Sequence, residues 1–317
     1  MAVVDLAPPI SLTDLAGSAR RRRREQMVRL IMLGAGATSI LITLAIILSL
    51  VFKAVGFLQA MQQENGSFEA LWAEGWFPRR GQFGLPTLFI GTFIVTSVAM
   101  LVAVPVGIGA AVYLAEYAKP RIRRTFKPIV ETLASIPSVV LGFFALTWLS
   151  PQIVQNVLGG ESLFSLMAAG LGVGILTIPL IASVSEDALR SVPNALREAS
   201  SGLGARKITT TLRVVLPAAV SGLVAAFIIG ISRAVGETMV VTIAAGGTGG
   251  SLFNANPLEP GTTMTAAMAS LATGTDQVAG SGLAFDSLFL VGLLLFVVTL
   301  GLNMVAERFV KRFRQRY

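Results

Sequence analysis

SEDALRSVPNALREASSGLGARKITTTLRVVLP, Ser185 to Pro217, is a charged stretch set between two long uncharged ones. Upstream, Ser162 to Ser185 carries no Asp, Glu, Lys or Arg, and downstream the first charge after Pro217 is Arg233. A bilayer core about 30 Å thick is crossed by roughly 20 apolar residues of helix. Both flanks therefore read as membrane spans, and the charged stretch as the loop that joins them.

Working outward in both directions, apolar residues fall in blocks of this length rather than with a period of 2.0 or 3.6. Six spans are predicted: Leu30–Phe52, about Leu85–Ala115, about Pro128–Leu149 with Glu131 near its inner end, about Ser162–Ser185, Pro217 to about Val241, and Ser287–Ala306. Pro217 suits a first helical turn. The first span is too long and lacks the small-residue cleavage chemistry of a removed signal peptide, so it is expected to remain as an anchor. The fold class is thus an all-α polytopic membrane protein of about six transmembrane helices, with both termini on one side.

The cations test this topology because they played no part in choosing the apolar centres. All but four of the 25 Lys and Arg fall in the N-terminal tail (Arg20 to Arg24, Arg29), the loop Glu116–Lys127, the loop Glu186–Arg213 or the C-terminal tail. The exceptions are Lys53, Arg79, Arg80 and Arg233. The positive-inside rule then puts both termini in the cytoplasm. The expected order is a basic tail (1–29), an anchor (30–52), an outer loop (53–84), a core (85–306) with its inner loop at 186–213, and a basic tail (307–317).

Composition agrees: 54% of residues are hydrophobic and 13% charged, against about 25% charged in ordinary soluble domains, and the mean hydropathy is +0.74. The net charge of +8 is accounted for by basic inner loops, so no nucleic-acid partner is implied. The chain has no Cys and no His, which removes disulfides, thiol nucleophiles, imidazole bases and most metal ligation. No catalytic residue, cofactor or metal site is expected. Trp72, Trp76 and Phe77 in the outer loop read as interfacial anchors. The stretch Thr262–Ala272 of the polar outer segment Ala244–Asp286 reads as a short helix at the membrane face.

Within the opening stretch, Pro193 starts one short helix, Gly202 and Gly204 end it, and Ala205–Val215 forms a second before Pro217. Leu196 with Ala199 or Ser200 would offer a small-residue face to a partner's groove. This loop resembles the cytoplasmic signature of ABC importer permeases, Glu-Ala-Ala, three residues, Gly, nine residues, Ile, one residue, Leu-Pro. The chain has Glu198, Ala199, Ser200, Gly204, Val214, Leu216 and Pro217 at that spacing, with Ser and Val as the two departures. The resemblance implies the ABC importer permease fold and a loop that docks in a cleft of an ATPase subunit. No Lys follows a Gly, as a P-loop requires, so ATP hydrolysis is expected on another subunit.

In ISRAVGETMVV, Ile231 to Val241, Arg233 and Glu237 are four residues apart. On one continuous helix from Pro217, Arg233 would lie roughly 24 Å along, where a charge is costly unless it faces a partner or a water-filled path. Glu237 is the nearest candidate partner, and an Arg fork suits an oxyanion. The alternative is that the span ends early and the pair lies at the outer interface. Pro105 and Pro137 break helical hydrogen bonding inside spans; Gly107, Gly109, Gly142, Gly170, Gly172 and Gly174 allow close helix contact.

The segments AVPVGIGAAVYLAEYA (Ala103–Ala118), ETLASIPSVVLGFFAL (Glu131–Leu146), FGLPTLFIGT (Phe83–Thr92) and ISRAVGETMVV resemble the PstC-type phosphate permease family, from the second span to the end. That resemblance implies passage of inorganic phosphate past Arg233 and Glu237. It also implies a bacterial cytoplasmic-membrane location. The implied partners are a second permease of PstA type, ATPase subunits of PstB type and an extracytoplasmic phosphate-binding protein of PstS type; Arg79 and Arg80 in the outer loop read either as simple interfacial anchors or as a docking contact for that binding protein. Two alternatives stand: a proton-coupled secondary transporter using Glu237 with Arg233 as counter-charge, or a permease of the same class for another oxyanion.

Overall fold

The computed structural model describes residues 19–65, 67–247, 250–273 and 282–313. It divides into two units, Met1–Phe52 and Lys53–Tyr317. The described part of the first, residues 19–52, is the beginning of helix α1 (Ala19–Asn65). Leu30, Ile31, Met32 and Leu33 follow one another around this helix and all are exposed. A helix that is apolar all round is made for lipid. The helix does not stop at Phe52 as predicted but runs to Asn65, because neither Lys53 nor the residues after it supply a cap or a proline.

In the second unit, the remainder of α1 buries Ala54, Phe57 and Met61 against Trp76, Phe83, Leu88, Met264 and Leu288. Trp76 lies on strand β1 (Gly75–Phe77), which pairs antiparallel with β2 (Gln82–Phe83) on one side and β3 (Ser251–Leu252) on the other. Trp76 is 3% exposed and meets Phe83 edge-on at 6.1 Å. It is therefore a core residue and not the interfacial anchor expected, whereas Trp72 is 75% exposed. Lys53 Nζ stands 4.7 Å from the Phe289 ring and Arg80 lies over Phe77. Three of the cations left over by the topology, Lys53, Arg79 and Arg80, thus lie at this one end.

Helix α2 (Leu85–Val112) continues into a π-type turn, Tyr113–Tyr117. After it come α3 (Pro120–Leu133), α4 (Ser138–Phe144, continued by a π-type segment Ala145–Gln155), α5 (Leu166–Arg190), α6 (Asn194–Gly202) and α7 (Lys207–Thr210, carried on to Ala218). The chain ends with α8 (Val220–Val235), α9 (Met239–Ala244), α10 (Met264–Thr273) and α11 (Leu283–Phe313). Five described helices are long and apolar enough to cross a membrane, or six if α7 and α8, bent by 71°, count as one span.

Two predicted spans are corrected. The third begins at Ser138, not at Pro128: α3 ends at Leu133 and Pro137, with no N–H to donate, sits outside α4 as its cap. Pro137 therefore starts a helix instead of breaking one, while Pro105 does lie inside α2. The fifth span is broken before Val220 and again after Val235. The outer helix falls at Met264–Thr273, close to the expected 262–272, yet it is buried in the core through Met264, Ala266, Ala267 and Leu271 and is not laid on a membrane face.

Close contact between α2 and α5 makes the centre. A Cβ at Gly170 would stand 2.7 Å from Val98 Cβ, one at Gly107 2.8 Å from Ile181 Cγ2, and one at Gly174 3.0 Å from the Ala99 carbonyl. Gly142 and Gly172 serve the α4 and α9 contacts in the same way, but Gly109 faces open space. The tightest approach of a span glycine went unpredicted: a Cβ on Gly91 would lie 2.0 Å from the Thr262 carbonyl, which seats α10's leading loop against α2.

Candidate functional site

The opening stretch folds as two short helices meeting at a glycine. Pro193 precedes α6, and the chain leaves it through Gly204 at φ +79°, a region open to Gly without a Cβ clash. Three bonds close the end: Leu203 N–H to Ala199 O, Gly204 N–H to Ser201 O and Ala205 N–H to Ser200 O. Ser200 Oγ and Thr210 Oγ1, 2.9 Å apart, tie α6 to α7. Leu196 packs inward with Ala111, Leu189, Val192 and Val215. The expected small-residue face of Leu196 with Ser200 is thus turned to this chain's own core. Glu198, Ala199 and Leu203 are exposed instead, with Leu203 at 89% and Ile208 and Leu212 also outward.

Buried ion pairs, none of them picked out from sequence, hold this protrusion. The Arg197 guanidinium donates to Glu116 Oε1 at 2.8 and 3.2 Å, to the Leu189 carbonyl at 2.8 Å and to the Val192 carbonyl at 2.6 Å. One side chain so joins α6 to the end of α2 and the last turn of α5. Close by, Glu186 is 1% exposed and has Arg123 Nε and Lys127 Nζ at 2.8 Å each, with Arg190 at 3.8 Å. Burial alone would lower the pKa of Lys127, but hydrogen bonds and charge from Asp187 and Glu186 outweigh it and hold the ammonium above its ordinary value. The two loops that topology placed on one side are thus joined. Their sequence signal was a carboxylate standing at the end of an apolar run, as Glu116 and Glu186 both do.

Arg233 and Glu237 are not one turn apart on a single helix. α8 ends at Val235, capped at Gly236, and α9 begins at Met239, leaving Gly236–Thr238 unwound. Two of its amides and a carbonyl are paired: Gly236 N–H bonds to Ser232 O, Glu237 N–H to Ala234 O, and Thr265 Oγ1 on α10 donates to Glu237 O at 2.8 Å. The Glu237 carboxyl is buried and accepts from Val240 N–H at 3.4 Å. Arg233 is exposed, and among the described residues it has no ion-pair or hydrogen-bond partner. The expected Arg233–Glu237 pair does not form.

Two other places can be compared as seats for an anion. The amino end of α5 is closed, since Ser165, Leu166 and Met167 N–H donate to the carbonyls of Ala244, Glu259 and Pro257. A cavity of about 390 Å³ between α2, α8, α10 and α11 is lined by Phe89, Thr92, Phe227, Met264 and Leu302, with no charged side chain. The amides at the first are committed, and the second offers the Thr92, Thr96 and Ser97 hydroxyls but no cation to neutralise an oxyanion. Among the described residues no cluster of metal-ligating side chains occurs.

Comparison with known proteins agrees with this architecture. Residues 103–317 match the family described as "Binding-protein-dependent transport system inner membrane component". The chain is 32% identical over 292 residues to the phosphate transport system permease protein PstC of Haemophilus influenzae, covering 86% of this chain and 88% of that one. It is also 32% identical over 241 residues to the probable ABC transporter permease protein YqgH of Bacillus subtilis, covering 75% and 78%. In fold it is similar to a bacterial alginate ABC transporter, solved with an alginate pentasaccharide-bound periplasmic protein, with a TM-score of 0.62 at 18% identity over 92% of this chain and 98% of that one. The chain belongs to the binding-protein-dependent transport system inner membrane components, multi-pass membrane subunits with the ABC importer permease fold.

Proposed function

We propose that this chain is the permease subunit of an ATP-driven importer of inorganic phosphate in a bacterial cytoplasmic membrane. The observation that carries the reading is Arg233: an exposed guanidinium in the last turn of a broken span, with no protein partner among the described residues. A cation left unpaired at such a place is free to meet an anion, and an Arg fork fits phosphate oxygens bidentately. Glu237, four residues on, holds the unwound segment in shape by accepting from the Val240 amide of α9. The likeness to PstC-type permeases supports phosphate over other oxyanions.

ATP hydrolysis falls to separate PstB-type subunits, which receive the exposed Glu198, Ala199 and Leu203 edge of α6, with Ser200, Gly204, Leu216 and Pro217 giving the two-helix protrusion its shape. Opening and closing of the ATPases passes through Arg197 into α2 and α5. A PstA-type permease completes the path, and a PstS-type binding protein delivers phosphate to the outer end, with Arg79 and Arg80 within its docking area. The basic tails 1–29 and 307–317, the anchor 30–52 and the inner loop 186–213 keep the cytoplasmic and membrane roles that charge placement assigns them.

The test is phosphate uptake into vesicles holding this subunit and its partners, with and without ATP, for the wild type, Arg233→Gln and Glu198→Ala. ATP-dependent uptake that is lost in Arg233→Gln, and ATP hydrolysis that no longer drives uptake in Glu198→Ala, are expected. Uptake by this chain alone, driven by a proton gradient and indifferent to Glu198, would instead establish a secondary transporter.

A further inference from the structure

Helix α3 is the one long described helix of the second unit that is neither a span nor buried. Its 14 residues, PRIRRTFKPIVETL, extend about 21 Å, too short for the bilayer core, and Pro128 lies within them. At about 100° per residue, Ile122, Phe126, Ile129 and Leu133 fall in one narrow stripe. All four are exposed, Phe126 at 51% and both Ile129 and Leu133 at 47%. The roll of the helix is set by another edge, where Arg123 and Lys127 reach the buried Glu186. That tether leaves the apolar stripe uncovered. It also places the helix at the end of the molecule where α5 meets the coupling loop, which is the cytoplasmic end.

Around the stripe the charge is one-sided. Arg121 and Arg123 precede and follow Ile122, about 100° to either side, and Arg124 lies on the far face, exposed like Arg121. Glu131 is the one carboxylate on the helix. An apolar stripe flanked by Arg on both sides is the pattern of a helix that lies in a membrane interface, with the stripe in the acyl boundary and the guanidinium groups at the phosphates. The cytoplasmic leaflet carries anionic lipids that attract such cations, by about 1 kcal/mol for each Lys or Arg near the surface. A protein surface covering the same stripe would have to face these arginines with acids.

We propose that α3 is an interfacial helix that lies on the cytoplasmic leaflet, its Ile122, Phe126, Ile129 and Leu133 stripe sunk among acyl chains and the exposed flanking Arg121 on anionic lipid headgroups. The Glu186 latch then connects lipid-seated α3 to the last turns of α5, so the coupling loop moves against a support fixed at the membrane surface.

The chain lacks Cys, so spin labels can be placed singly at Ile122→Cys, Phe126→Cys, Ile129→Cys, Leu133→Cys and, as a polar-face reference, Glu131→Cys. The labelled full-length chain, assembled with the subunits it co-purifies with, is placed in nanodiscs of phosphatidylcholine or of equal phosphatidylcholine and phosphatidylglycerol. The expected result is that stripe labels are relaxed by oxygen and not by a water-soluble nickel chelate, while the Glu131 position shows the reverse. The stripe labels should move deeper with phosphatidylglycerol, and Arg121→Glu should abolish that increment while size exclusion still shows the assembled complex. Stripe labels shielded from both reagents would mean a protein partner covers the helix, and labels open to the nickel chelate would mean solvent; either overturns the proposal. Equal depth in both lipids overturns the anionic-headgroup contact.

Discussion

Where α3 meets the end of α5 in the second unit, Glu186 is 1% exposed with two cations at 2.8 Å, and Glu116 is held by Arg197 through two nitrogens. At the break between α8 and α9, Arg233 is exposed without a protein partner among the described residues, and Glu237 meets a single backbone amide through its carboxyl. Both regions place charge in or beside apolar spans, yet one closes its charges on each other and the other leaves a cation open. Closed charges fix geometry, which the proposed coupling role of the two-helix protrusion requires. An open charge costs stability wherever it is poorly solvated, and under the proposed function its use lies in a ligand that comes and goes.

Removing both cations from the latch is the harshest way to break this contrast. Arg123→Met with Lys127→Met leaves the buried Glu186 with only Arg190 at 3.8 Å, and thermal unfolding should register a loss of about 3 kcal/mol. Glu186→Gln should cost less, about 1–3 kcal/mol, since Arg123 and Lys127 are 31% and 25% exposed and can recover water. The pH sign follows from the raised Lys127 pKa. Its contribution is complete below the ordinary lysine value of 10.5 and disappears as pH rises through the higher folded-state value. A stability profile that falls between pH 6 and 8 because of Lys127 would contradict the latch.

Arg197→Ala comes next, at about 3 kcal/mol, because it strands Glu116, 7% exposed, together with two carbonyls. Here ATP hydrolysis should continue with uptake reduced, and Arg197→Lys should recover stability only in part, since one ammonium cannot span three acceptors. Gly91→Ala, at about 2 kcal/mol, tests packing without charge: its Cβ would press on the Thr262 carbonyl and shift α10. The smallest stability effect belongs to Arg233→Gln, within about 0.5 kcal/mol, measured beside a large loss of phosphate uptake. A large stability loss at Arg233 would show that the cation is structural after all and erase the contrast.

How much could be read beforehand differs between the two regions for a physical reason. The two-helix loop was legible because proline and glycine act locally: Pro193 cannot continue a preceding helix and Gly204 takes a positive φ without strain. The break was not, because spacing of four residues puts Arg233 and Glu237 together only if the helix continues, and Gly236 ends it. A glycine just past an apolar helical run was the available signal. The latch and the Arg197 clamp join residues tens of positions apart, so no local pattern pairs Glu116 with Arg197 or Arg123 with Glu186.

The sequence by itself determined that this is a polytopic helical membrane protein, with its basic loops sorted to one side and the loop Ser185–Pro217 built as two short helices. Apolar block length, charge placement and the backbone limits of Pro and Gly are properties of short stretches, and they act before any packing. Only the tertiary structure decided that Trp76 is core, that the third span starts at Ser138, that α10 is buried, and that Glu186 and Arg197 close on partners while Arg233 does not. Each of these depends on which distant residues share a contact, and burial and ion pairing are settled by that proximity.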